Sequence, residues 1–293
     1  MEFLKQHGDY SSEKSFKQLT TIKIGGRISH YVEPFAVEDL KVIIAYLKDK
    51  HIPFKVIGNG SNLICGQSDY DGVVISLKKF NNIEVNNEQV YVEAGVLVPF
   101  LANYVANQGL SGLEFASGIP GNVGGLIYMN AGAYKSSMSD IVEKVLVLKN
   151  DELVWLSNKE LDFKYRHSIF QDHPHWIVIS AYLNFKKKDS KEIFDLMNDR
   201  LNRRKLTQPL DMPSAGSCFR NPNEKFAWEL IDSIGYRGYK KNDIEVSNKH
   251  SNFIVNLGNG TAEDYLSICY EIIDKIQKQY NIKLIMEVEK FNC

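Results

Sequence analysis

The stretch PFKVIGNGSNLICG, residues 53–66, decides how the chain reads. A short apolar run meets the polar turn Gly58-Asn59-Gly60-Ser61-Asn62, and apolar residues resume at Leu63. Glycine permits positive φ and lets backbone N–H groups come close to an anion. Successive N–H groups in such a turn form a nest for phosphate oxygens. Ser61 and Asn62 add side-chain donors. The turn is not a dinucleotide fingerprint, because Leu63 stands where G-x-G-x-x-G needs its last glycine. It is not a P-loop either, since no G-K-[ST] occurs in it. Taken alone, a plain strand-to-loop turn is the simpler reading.

A second glycine-rich segment shifts the balance. GLEFASGIPGNVGGLIYMNAGAY runs from Gly112 to Tyr134, with Gly118, Gly121, Gly124 and Gly125 closely spaced. So many glycines argue against a helix and weaken a strand. Close approach of backbone to a large ligand explains them, and so does close packing of backbone on backbone. Two such segments in one chain point to two contacts with one extended ligand, such as a dinucleotide.

Outward from these turns, the pattern mixes helices and strands. Leu40, Ile43, Ile44 and Leu47 have helical spacing within residues 37–52. Residues 53–58, 72–78, 89–98 and 176–185 read as strands. Residues 98–109 read as a helix closed by Gly109, and 144–157 as a hairpin turning at Asn150-Asp151. Beyond the charged run at 186–192 come helices at 192–206, 226–235 and 261–280, then a final strand at 282–291. Thr261 and Asp264 resemble a capping box. Without a regular βαβ series, the class is α+β.

Composition narrows the function. With 35 Lys+Arg against 36 Asp+Glu, the net charge is -1, which offers no basic excess for nucleic acid. No apolar run is long enough for a bilayer, and no signal peptide is evident. Cys65, Cys218, Cys269 and Cys293 form no C-x-x-C motif, so reduced thiols in a cytoplasm are expected. The seven histidines are scattered, and no metal site is expected. At 293 residues, more than one domain is expected.

Three places carry reactive groups. YRHS, residues 165–168, sets an aromatic, a guanidinium, an imidazole and a hydroxyl side by side. Its arginine could bind a carboxylate or phosphate by two-point contact, or be a solvated strand end. PSAGSCFRNP, residues 213–222, offers Ser214 and Ser217 but no adjacent base and no G-x-S-x-G elbow. Glu287 and Glu289 share a face of the expected closing strand, where a wet face is the ordinary reading.

Taken in order, GNGSNL, GLEFASGIPGNVGG with YMNAGAY, YRHS, PSAGSCFRNP, VSNKH and a closing MEV resemble the UDP-N-acetylenolpyruvoylglucosamine reductase (UDP-N-acetylmuramate dehydrogenase) family. The resemblance runs from LTTIKIGG, residues 19–26, to Glu287. It implies a two-subdomain FAD-binding unit of the vanillyl-alcohol-oxidase type, residues 1–80 and 81–188, and a C-terminal substrate-binding domain, residues 189–293. It implies non-covalent FAD, NADPH as hydride donor, and reduction of a UDP-sugar enolpyruvate ether to UDP-N-acetylmuramate. Nucleic acid and membrane are not among the implied partners.

The implied catalytic residues are Arg166, which binds the substrate carboxylate, Ser217, which donates a proton, and Glu287. The implied cofactor contacts are Gly58, Asn59, Gly60, Ser61, Asn62 and Leu63, then Gly118, Ile119, Pro120, Gly121, Val123, Gly124 and Gly125. Tyr165 and Asn221 join the catalytic three as substrate contacts. The chain departs from the family pattern at EVEKFNC, at Leu126 where Ala is common, at Lys135 where Gly is common, and at KKNDIE, residues 240–245. It resembles the short branch, without the tyrosine-bearing loop over the substrate. An alcohol oxidase of the same superfamily and a non-catalytic nucleotide-binding protein are the alternative readings. The C-terminal motifs and the intact catalytic set argue against them.

Overall fold

The computed structural model describes residues 2–222 and 225–293. They form two compact units. One holds the N-terminal residues to Ser12, His30–Asn59 and Gly72–Asn202; the other holds Glu13–Ser29, Gly60–Asp71 and Arg203–Cys293. Each unit gathers residues from more than one of the blocks 1–80, 81–188 and 189–293. The division falls inside the GNGSN turn, between Asn59 and Gly60.

In the first unit a five-stranded antiparallel sheet has the order Glu152–Ser157, Val142–Lys149, Ile177–Asn184, Gln89–Glu93, Ile83–Asn86. The hairpin turns as expected, with Asn150 and Asp151 both left-handed at φ 50° and 68°. A four-stranded sheet has the order Gly8–Ser11, Ile28–Pro34, Tyr70–Ser76, Phe54–Ile57, the last pair parallel. The Val37–Asp49 helix buries Leu40, Ile43, Ile44 and Leu47. The Val98–Asn107 helix buries Leu101, Ala102 and Val105. One apolar cluster runs from these helices through Val73, Ile75, Val90, Val92, Val145 and Leu183.

The glycine-rich run breaks the expectation of a non-helical segment. Val123–Tyr128, sequence VGGLIY, is a short α-helix. Burial of Val123, Leu126 and Ile127 offsets what the two glycines cost. Gly124 packs on Ala94, whose Cβ lies 3.0 Å from where a Cβ on Gly124 would be.

In the second unit the sheet order is Ser214–Ser217, Phe253–Asn256, Ile244–Val246, Lys240–Lys241, all antiparallel. The Ala262–Tyr280 helix buries Tyr265, Ile268, Cys269, Ile272 and Ile276. Its first turn is capped as expected, Asp264 N–H donating to Thr261 Oγ1 at 3.1 Å. Leu63–Cys65 pairs in parallel with Glu289–Phe291. The expected strand over 282–291 is thus regular only at its end, because the segment changes partner midway: Met286 bridges Phe219, and Glu289 pairs with Leu63.

Ile22, Ile24 and Ile64 enter the same core as the C-terminal helix, and one buried amide ties them in. Asn256 is 2% exposed. Its Nδ2 donates to the Ile22 carbonyl at 3.0 Å, while its Oδ1 accepts from Gly258 and Gly260 N–H at 2.9 and 3.0 Å. Removing that amide strands two buried backbone groups, the Ile22 carbonyl and Gly260 N–H, each worth about 1–3 kcal/mol when left without a partner, while exposed Gly258 N–H can turn to water. We expect Asn256→Ala to lower unfolding free energy by about 2–4 kcal/mol in urea titration. A loss below about 1 kcal/mol would show the amide to be dispensable.

Candidate active site

In the first unit the two glycine-rich segments meet. Asn59 Nδ2 donates to the Pro120 carbonyl at 2.8 Å. A Cβ on Gly58 would lie 3.3 Å from Asn122 Oδ1. Asn122 is 4% exposed, its Nδ2 donates to the Gly95 carbonyl, and its Oδ1 is buried without a protein partner among the described residues. A bare glycine facing an orphaned acceptor fits a ligand rich in hydroxyl and N–H donors, as the sugar-alcohol and ring of a flavin dinucleotide are.

The second segment is less of an open nest than its glycines imply. Ile119 N–H goes to the Ala116 carbonyl, Gly121 to Ile119, Val123 to Val96 and Gly124 to Ala94, all at 2.8–3.0 Å. Gly118 and Ile119 are half-buried and Pro120 is exposed. Val123 is fully buried in the core, so any ligand contact there is through backbone. Gly125 is exposed, with nothing within 4 Å of its Cβ direction.

In the second unit Gly60 has φ +60, and a Cβ there would lie 2.2 Å from the Leu19 carbonyl oxygen. Only glycine fits. Thr21 N–H donates to the Gly60 carbonyl at 3.2 Å, and Thr21 Oγ1 to the Ser214 carbonyl at 2.6 Å. LTTIKIGG therefore links the turn to the Ser214–Ser217 strand. Asn62, read as a ligand donor, instead gives its Nδ2 to the Glu287 carbonyl at 3.0 Å. Leu63 is buried, and Ser61 is half-buried with its carbonyl toward Gly216.

Ser217 and Glu287 come together here, both half-buried. Glu287 N–H donates to the Cys218 carbonyl at 2.8 Å, so the two residues are one ladder step apart. A bulge aims Ser217: Ser214 pairs with Val255 and Ser217 with Phe253, one residue extra on the serine strand. Gly216 absorbs it at φ +78. Asn252, which no motif marks, fixes the backbone two residues beyond the serine. Its Oδ1 accepts from Phe219 N–H at 3.0 Å and its Nδ2 donates to the Phe219 carbonyl at 2.9 Å. Cys218 Sγ lies 3.1 Å from the Tyr265 hydroxyl, and burial pushes that phenol and the Cys269 thiol well up. Both stay neutral and unreactive.

Asn221 is exposed and its Oδ1 accepts from Ala227 N–H at 3.0 Å, the first residue of the Ala227–Ser233 helix. Neighbouring Arg220 also escapes the sequence reading. Its Nε is buried without a protein partner among the described residues.

Arg166 belongs to the first unit. Its guanidinium donates to the Gly132 carbonyl at 2.8 Å and lies 5.2 Å from the ring centre of exposed Tyr165. YRHS thus sits on YMNAGAY. Beside it, Asp162, His167 and Asp172 are the one group of described residues able to hold a metal ion. The Lys164 ammonium already sits 2.7 Å from Asp162 Oδ2.

Residues 28–157 match the model of an FAD binding domain, and residues 208–291 that of the UDP-N-acetylenolpyruvoylglucosamine reductase C-terminal domain. The reductase of Caldanaerobacter subterraneus is 41% identical over 289 residues, 98% of this chain and 95% of that one. That of Thermotoga maritima is 41% identical over 92% of this chain and 94% of its own. The chain belongs to the UDP-N-acetylenolpyruvoylglucosamine reductase family. The crystal structure of the Thermus caldophilus reductase matches at a TM-score of 0.81 and 33% identity, covering 97% of this chain and 98% of the other.

One departure from the family pattern has a conformational reading. Tyr134 and Lys135 are both left-handed, φ 53° and 63°, at the tip of the Gly132–Ala133 and Ser136–Ser137 hairpin. A side chain there costs about 1 kcal/mol. Lys135→Gly should raise stability by about 0.5 kcal/mol, net of the freedom glycine adds to the unfolded chain, and a lower urea midpoint would refute this. At Gly216 a Cβ meets nothing nearer than 3.8 Å, so strain alone opposes it. Gly216→Ala should cost about 1–2 kcal/mol yet fold, and turnover should fall further than stability does. Unchanged turnover would mean that the bulge does not aim Ser217.

Proposed function

We propose that this chain is the reductase its family is named for: FAD-dependent, NADPH-driven reduction of UDP-N-acetylglucosamine enolpyruvate to UDP-N-acetylmuramate. The step belongs to peptidoglycan precursor synthesis, on which cell shape and division depend. The observation that carries the reading is the ladder step between Glu287 N–H and the Cys218 carbonyl, 2.8 Å, which joins the backbone of the glutamate to that of the residue after Ser217. Sequence identity of 41% over nearly the whole chain supports it.

When bound and reduced by NADPH, FAD would supply the hydride that the substrate's methylene carbon takes up. The chain's own residues handle binding, charge and the proton. Gly58 to Leu63, and Gly118 to Gly121 with Val123, Gly124 and Gly125, would hold the cofactor; because the N–H groups of Ile119, Gly121, Val123 and Gly124 serve the chain's own carbonyls, the bare Gly58 and the buried Asn122 oxygen are the features of this framework left for it. Tyr165 and Arg166 receive the carboxylate, and the guanidinium opposes the negative charge that grows on the neighbouring carbon. Ser217 delivers a proton to that carbon. In its carboxylic-acid form Glu287 would donate a hydrogen bond to the same charge. Arg220 and Asn221 suit the polar remainder of the substrate.

The division into cofactor-binding subdomains, 1–80 and 81–188, and a substrate domain, 189–293, is part of this reading. So is a cytoplasmic location with no nucleic-acid or membrane partner. Among the described residues no helix is long and apolar enough to cross a membrane, and the net charge is -1.

Anaerobic spectroscopy tests the whole. Flavin absorbance should bleach with NADPH and return only with the enolpyruvyl substrate. Ser217→Ala should bleach normally and recover about 10²–10⁴-fold more slowly. Normal recovery would identify another proton donor. A protein that bleaches and recovers with oxygen but not with the UDP-sugar would be an oxidase.

A further inference from the structure

The hairpin that carries Arg166 is held in a conformation that few side chains adopt. Lys164 and His167 exchange both backbone hydrogen bonds at 3.1 Å, leaving Tyr165 and Arg166 at the tip. Arg166 is left-handed at φ +55. A non-glycine residue persists there only when its surroundings over-determine it.

Two side-chain amides do this. Asn130 Nδ2 donates to the Lys164 carbonyl at 2.9 Å. Gln171 Nε2 donates to the Arg166 carbonyl at 3.0 Å. The two carbonyls lie on either side of the tip. Each amide is itself fixed. Asn130 is 5% exposed, and its Oδ1 accepts from Ser139 N–H at 3.0 Å. Gln171 Nε2 also reaches the Tyr128 carbonyl at 3.3 Å, which fully buried Ser168 Oγ bonds at 2.6 Å.

We infer that Asn130 and Gln171 are positioning residues for the reduction: by gripping the carbonyls of Lys164 and Arg166 they hold the left-handed backbone that aims the Arg166 guanidinium. The inference rests on the reading of Arg166 as the carboxylate-binding group. Neither amide touches substrate. Their effect is confined to the half-reaction in which the carboxylate is bound, and misplacement of a positioning group by about 1 Å can cost roughly 10²-fold.

The experiment is anaerobic stopped-flow on Gln171→Met, Asn130→Asp and Arg166→Ala holoenzymes. Gln171→Met keeps the size and loses the donor. Asn130→Asp keeps a residue type that tolerates positive φ and the acceptor for Ser139, and replaces the donor to Lys164 by a carboxylate oxygen that the Lys164 carbonyl repels, so it breaks the other grip on the same hairpin. Both should bleach with NADPH within about two-fold of the parent rate, and recover with the enolpyruvyl substrate about 10-fold or more slowly, at raised KM. Parent-like recovery in both, with Arg166→Ala slow, would overturn the positioning role alone. Normal recovery in Arg166→Ala would overturn it together with the reading of Arg166. Equal loss in both half-reactions, tracking melting temperature, would make the amides merely structural.

Discussion

The closing segment of the chain is hydrogen-bonded on two sides. Glu287 N–H reaches the Cys218 carbonyl, and Glu289 N–H reaches the Asn62 carbonyl. Through these bonds the glycine turn, the serine strand and the terminal carboxyl side chain share one backbone framework. A ladder bond fixes relative height, as the roles proposed for Ser217 and Glu287 would require. The Gly216 bulge and the Asn252 amide refine the serine's direction within that framework.

Side-chain amides recur wherever the frame is pinned. Asn252 mimics a strand at Phe219, Asn256 closes the loop at Gly258–Gly260, and Asn130 holds the Arg166 hairpin. An amide offers donors and an acceptor together without carrying charge. It can therefore be buried with every group satisfied, where a carboxylate or ammonium would need a counter-ion. Asn122 is the exception, with one buried oxygen left over. That oxygen faces the glycine of the first turn.

Much of this was legible in order and type. Helical spacing at Leu40–Leu47, the Asn150-Asp151 turn and the Thr261 cap depend on local chemistry, and each stands where its residues indicate. Two local readings failed for a common reason. VGGLIY is helical because its apolar residues are buried, and the 282–291 strand is broken because its partners lie elsewhere in the chain. Tertiary packing overrode propensity in both. The motifs named Arg166, Ser217 and Glu287. They did not reveal that Asn62's donor is spent on Glu287, or that four N–H groups of the second glycine segment serve the chain's own carbonyls. The amides were illegible because Asn and Gln are ordinary surface residues, and only a partner far along the chain gives them their role.

The discontinuous make-up of the second unit has a consequence for biosynthesis. Its Asn62–Glu287 bond spans 225 positions, with most of the first unit emerging in between. At about 5–20 residues per second, residues 60–71 wait roughly 10–45 s on the ribosome for the strand that completes them. During that interval Ile22, Ile24 and Ile64 have no core to enter. The first unit, whose segments lie before residue 203, can close earlier. The second unit therefore cannot be completed before its closing strand is made, whereas every segment of the first unit is available by residue 202.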